Sequence, residues 1–291
     1  MATRRQVMGM LAGAAALISA RRPAHRGPAT PPPPPPRTPA CPIAEPLDAI
    51  ADDLLRHIPE TAVYNGTAGG LDGGPLARRM DDYSPAGEAA WRAALARAQD
   101  DLGHISCPDD ARASLRLEVA RAVVANGLRS ADVPYGRINP LWYSGHLPYV
   151  ANQIGGPVVD TVNFMTAQQS LSTPAAVDAW LAKLDGFAPG FAGVLEKVRA
   201  DEASGCRPPK VLLARTLPVL DAFLSGNTAA HPLVLDLRTR MATAGLDRRL
   251  REEAEAKAIA TLDARARPAI AALREVVATM ASRGREEDGI W

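Results

Sequence analysis

Thr173-Pro174-Ala175-Ala176-Val177-Asp178-Ala179-Trp180-Leu181-Ala182-Lys183-Leu184 reads as the start of an amphipathic helix. A threonine can accept from the first free amide hydrogens, and proline at the first helical position loses nothing by lacking its own. Val177, Trp180, Leu181 and Leu184 then recur at spacings of three and four, which puts them on one face. Ser84-Pro85 repeats the cap before Trp91, Leu95, Ala98 and Leu102.

The same period recurs along the chain. Glu45-Pro46 opens a helix through Leu47, Ile50, Leu54, Leu55 and Ile58, ended by Pro59. Pro108-Asp109-Asp110 opens another with Leu115, Val119, Val123 and Leu128 inward. Phe191, Val194, Leu195 and Val198 follow Pro189, stopping at Ser204-Gly205. Pro208-Pro209 precedes Val211 to Phe223, and His231-Pro232 precedes Val234 to Met241, with His231 at the cap. The last stretch, Leu246 to Ala281, is expected to kink at Pro268. The expected fold is all-α, an irregular array of about eight helices over residues 44–291 with one long aromatic-containing loop, Ser130 to Ser172. Any strand is confined to short hairpin pieces near Val158 to Val162.

Residues 1–20 read as a signal peptide of the twin-arginine type: Arg4 and Arg5 stand before a 13-residue uncharged run, Met8 to Ala20. As a helix that run spans about 20 Å against a bilayer core of roughly 30 Å, too short for a stable membrane span. Residues 21–43 hold six consecutive prolines, Pro31 to Pro36, and read as a disordered Pro-rich linker of polyproline II character. Export to the periplasm, with the twin-arginine translocase as partner, is the expectation. Lipidation of Cys41 is not expected, because it lies 21 residues beyond the apolar run.

The 33 basic and 32 acidic residues nearly balance, but residues 1–40 hold six arginines and no acid. The remainder is net acidic, which argues against nucleic acid. The five histidines are at least 32 residues apart, so no zinc-binding pair on one helix exists. No phosphate-binding glycine motif or nucleophile elbow is present. Gly66 to Gly74 reads as a loop. His104 and Cys107 could form half of a metal site, His57 is placed by its helix C-terminus, and Cys107 and Cys206 could pair in an oxidising compartment.

The richest candidate for binding is Tyr135 to Gln153, with Tyr135, Trp142, Tyr143, His146, Tyr149 and Gln153. Four of the chain's 13 aromatic residues fall in 15 positions there, and amphipathic rings beside amides suit a cleft for an extended peptide or a small ligand. The alternative is that the rings pin a long loop to an aromatic-poor core.

Pro148 to Gln153, Asp160 to Met165, Val177 to Leu184 and Arg199 to Pro209, in that order, resemble the domain-of-unknown-function 885 family. His231 to Val234 and Arg267 to Ala269 extend the likeness. The resemblance implies a bacterial, exported, mostly helical protein of about twice this length, related to zinc metallopeptidases of the thimet-oligopeptidase-like kind. In that family an H-E-A-x-P-G-H-H type motif in the C-terminal half would bind zinc, so zinc is expected only in a full-length member and no cofactor or catalytic residue in this chain. Asp288 to Trp291 looks like the start of a further family stretch, cut in its middle, and Gly155-Gly156-Pro157 replaces bulkier residues. The expected function is therefore the non-catalytic N-terminal portion of such a protein, one wall of a peptide or small-ligand cleft, with a missing C-terminal half as partner. The alternative is a stand-alone periplasmic helical binding protein. An unconventional enzyme site around His146 has the least support.

Overall fold

The computed structural model describes residues 41–67, 69–133, 135–141 and 146–286, without the side chains of Ile138 and His146. The signal and linker expectations, with Arg4 and Arg5, lie outside them. The fold is all-α. Eleven α-helices occur among the described residues: α1 Ala44–Leu55, α2 Pro59–Tyr64, α3 Pro85–Gly103, α4 Ala111–Ala131, α5 Pro157–Asn163, α6 Pro174–Asp185, α7 Phe187–Ala203, α8 Lys210–Leu224, α9 Pro232–Thr243, α10 Arg248–Thr261 and α11 Arg267–Arg283. None of them is long and apolar enough to cross a membrane.

The caps form where expected. Ser84 accepts from the amide of Gly87, Thr173 from that of Ala176 and Asp110 from those of Arg112 and Ala113. His231 accepts through Nδ1 from the amide of Leu233. The long C-terminal run breaks at the turn before Pro268, where α10 passes through a π-helical turn, Leu262–Ala266, into α11. Proline gives no amide hydrogen to the preceding turn, and the wider turn accommodates that loss.

Two main hydrophobic cores and a small third cluster of Val63, Ala77 and Ala179 result among the described residues. Ile50, Leu54 and Ile58 with Trp91, Leu95, Leu102 and Leu117 fill the N-terminal one. The larger one gathers Trp180, Phe187, Phe191, Leu220, Leu237, Ile270 and Leu273 from α6 to α11. In the N-terminal core α4 uses a different face from the expected one. Leu115 and Val119 are exposed, whereas Ala113, Leu117, Val124 and Gly127 are buried. Small residues let α4 approach α3 closely: a Cβ on Gly127 would meet Leu95 at 3.1 Å and Pro140 at 3.0 Å.

Three further expectations are corrected. Cys107 bonds to Cys41, with their Cα atoms 6.0 Å apart, and Cys206 is free. The segment around Val158 to Val162 is helical: Pro157 starts α5, which runs on as a π-helix to Gln168 and shortens the irregular stretch. Pro59, read as a helix end, instead opens α2. A single two-residue antiparallel pair, β1 Arg137–Ile138 with β2 His146–Leu147, occurs among the described residues.

Arg240 on α9 holds the end of the α5 π-helix by donating to the carbonyls of Met165 (3.1 Å), Thr166 (2.9 Å) and Gln169. Arg240→Ala is expected to lower the unfolding free energy by about 2 kcal/mol, because charged hydrogen bonds to buried carbonyls are lost together. The urea midpoint checks it.

Candidate functional site

The segment from Tyr135 is shaped by glycine and pinned by charge. Gly136 has φ +69, and a Cβ there would lie 2.2 Å from the carbonyl oxygen of Leu147, so only glycine fits the crossing of β1 and β2. Its amide donates to Asp201 on α7 at 3.4 Å. Arg137 next to it is buried, donates to the carbonyl of Asp82 at 2.5 Å, pairs with Asp81 at 3.5 Å and stacks over the Tyr83 ring, 4.3 Å from the centroid. Asn139 donates to the Thr61 hydroxyl at 2.8 Å. Farther on, the Asn152 side chain closes a turn by donating to the Tyr149 carbonyl and accepting from Ile154 and Gly155. Gly156, at φ +82, donates to Asp160 at 2.7 Å and leads into α5.

The N-terminal part of this segment faces an open groove of about 200 Å³. Glu88, Trp91 and Arg92 of α3 line one side and Val133, Tyr135 and Arg137 the other. Behind the groove Lys197 is buried between Asp201 at 2.6 Å and Glu88 at 3.0 Å. Burial opposes the Lys197 charge, but its bonds to the two carboxylates prevail and raise its pKa. Burial raises the pKa of Glu88 and of Asp201 against the same lysine. On the far side Asp201 borders a small apolar pocket with Tyr149, Val198, Cys206 and Met280. Tyr149 is buried there, and its hydroxyl accepts from Arg285 at 3.2 Å. Burial pushes the Cys206 thiol up to about 11, so it is a poor nucleophile at neutral pH.

Of the six expected residues, Tyr135 lines the groove, Tyr149 lines the apolar pocket, and Gln153 is half-buried with Oε1 unpartnered. The backbone of His146 pairs with Ile138. Its side chain, with Trp142 and Tyr143, lies outside the described residues. The charged groups behind the groove carry no recognisable motif. Their signal is the lysines: of four in the chain, Lys183 and Lys197 sit among apolar helix positions and are buried.

Among the described residues no three His, Cys, Asp or Glu side chains are placed to hold a metal ion. Cys107 is taken by the disulfide, and exposed His104 contacts the carbonyl of Asp100 at 2.9 Å. His57 lies beyond the end of α1, near the Trp91 ring, and burial lowers its pKa.

Residues 59–290 match the family described as "Bacterial protein of unknown function (DUF885)". The fold is similar to that of the "putative lipoprotein" from Colwellia psychrerythraea, with a TM-score of 0.78 and 24% identity over 86% of this chain. That match covers 42% of the Colwellia chain. No curated protein matches.

Proposed function

Because the chain belongs to the DUF885 family, we propose that it is the non-catalytic N-terminal portion of an exported, zinc-metallopeptidase-like protein, supplying one wall of a cleft for an extended peptide or small polar ligand. The observation that carries this reading is the groove: an aromatic ring, Tyr135, opposite Glu88 and Arg92, over a floor anchored by buried charge. Such a surface offers a stacking face and both signs of charge to a peptide backbone. Exposed Leu115, Val119 and Ile154 are apolar surface that further protein could cover. The described residues offer no ligand set for zinc, which in this reading is held elsewhere in the full-length protein.

Export to the periplasm by the twin-arginine route belongs to the same proposal. The Cys41–Cys107 disulfide favours an oxidising compartment. With its sulfur in that bond, Cys41 has no thiol for a lipid anchor. The closed disulfide and two separate cores also favour a second reading, a stand-alone periplasmic binding protein without catalysis.

The test is equilibrium dialysis of the whole chain against a pool of short peptides, with the retained fraction identified by mass. The chain should retain peptides intact, and Tyr135→Ala should weaken retention by about tenfold, as expected for loss of one aromatic contact. Retention unaffected by Tyr135→Ala would remove the groove from the account, and shortened peptides would remove the non-catalytic assignment.

A further inference from the structure

Beside the groove, and sharing Arg137 with it, lies a second charged cluster. Glu60 of α2, Asp81, Arg137 of β1 and Lys183 of α6 are all buried, Lys183 completely. Asp81 is well served, accepting from the Glu60 amide at 3.0 Å and pairing with Arg137. The other groups are not. Both carboxyl oxygens of Glu60, the Lys183 ammonium and the Thr161 hydroxyl have no hydrogen-bond partner of normal geometry among the described residues, although the Thr161 hydroxyl lies close enough to the Glu60 carboxyl to favour its charged form. Glu60 and Lys183 nevertheless lie within electrostatic reach of one another, and Asp81 is within reach of both. Glu60 and Lys183 form no ion pair within 4.0 Å of one another.

Burial of this kind is expensive, because an ammonium and a carboxyl taken out of bulk water need other partners. The charges identify the occupant. Two acids stand with two bases, so the cluster balances whether the proton resides on Glu60 or on Lys183, and no net charge calls for an ion. A neutral molecule that both donates and accepts hydrogen bonds meets the need of an ammonium, a carboxyl and a hydroxyl at once.

We propose that Glu60, Thr161 and Lys183 enclose a buried site for ordered water, which bridges α2, α5 and α6 and through Asp81 fixes Arg137 in the floor of the groove. The site does not depend on what the groove binds. It explains the two lysine positions differently: Lys197 is satisfied by carboxylates directly, whereas Lys183 reaches its acids through solvent.

A crystal structure of the whole chain, with urea denaturation and amide exchange of its variants, tests the proposal. Solvent density is expected within hydrogen-bond distance of both Lys183 Nζ and a Glu60 oxygen. Lys183→Met should lower the urea midpoint and speed amide exchange in residues 135–141 about tenfold. Glu60→Leu combined with Lys183→Met, which removes the need for water, should recover most of both losses. Lys183→Gln, which can still hydrogen-bond to water, should stay closer to wild type and keeps the test readable if the methionine variant does not fold. Direct contact between Nζ and Glu60 without solvent density would overturn the proposal. So would an ion at that position, seen by anomalous scattering after rubidium or bromide soaks, or strictly additive effects in the double variant.

Discussion

Reduction of the Cys41–Cys107 disulfide is expected to destabilise the protein by about 4 kcal/mol, the cost of freeing a closed loop of this length in the unfolded chain. The bond spans 66 positions and encloses α1, α2 and α3. It ties the entry to α1 to the turn before α4, where the Cys41 amide also meets Asp110 at 3.5 Å. Cys107 is buried against the N-terminal core, so opening the bond exposes the rim of that core as well. In calorimetry, reductant should lower the Tm by roughly 10 °C for a domain of this size. Cys107→Ser should reproduce the loss and abolish the response to reductant, and Cys206→Ser should leave it intact. An unchanged Tm on reduction would mean that the bond adds nothing to a core already closed.

The second large effect is a pH dependence carried by Glu60. Burial, and then Asp81, raise its pKa to about 8, against the partial relief of Lys183, Thr161 and Arg137. The folded state therefore holds a proton that the unfolded chain releases above the usual carboxylate range. Its contribution is complete at low pH and declines as pH rises through about 8. Glutamine cannot lose a proton, so Glu60→Gln should match wild type near pH 5 and exceed it at pH 8, on the order of 2 kcal/mol. Burial depresses the pKa of Lys183. Removal of the Glu60 charge deepens that depression, which tilts the comparison the same way. Urea denaturation at matched pH values checks it, and parallel curves for the two proteins would show that Glu60 is ionised throughout.

The legible part of the fold was its local chemistry. Ser84-Pro85, Thr173-Pro174 and His231-Pro232 place their helices because a cap is settled within four residues. Pro268 marks the interruption before α11 for the same reason. What escaped depends on neighbours far along the chain. The buried face of α4 is chosen by the close approach of Leu95 to Gly127, which overrides the larger Leu115 and Val119. Valines at 158 and 159 resemble strand residues, yet the Gly155-Gly156-Pro157 turn launches a helix. Cys107 found Cys41 rather than Cys206, a pairing that no spacing encodes.

The site was legible in part. Aromatic density led to Tyr135, which does line the groove, and to Tyr149, which occupies a separate pocket across Asp201. The charges that build the floor come from β1, α3, α7 and the stretch before α3, and meet only in the folded chain. Their trace in the sequence is faint but physical: Lys183 lies between Trp180 and Leu184, and Lys197 between Val194 and Val198, where an unpaired lysine would not be stable.

The most direct test of the central claim, one wall of a cleft in a longer exported protein, is the intact mass of the native protein from the periplasmic fraction of the cell that makes it. The account predicts a species that has lost its basic start and apolar run and continues past Trp291 to about twice the present mass. A periplasmic species ending at Trp291 would contradict it and leave the stand-alone binding protein in its place.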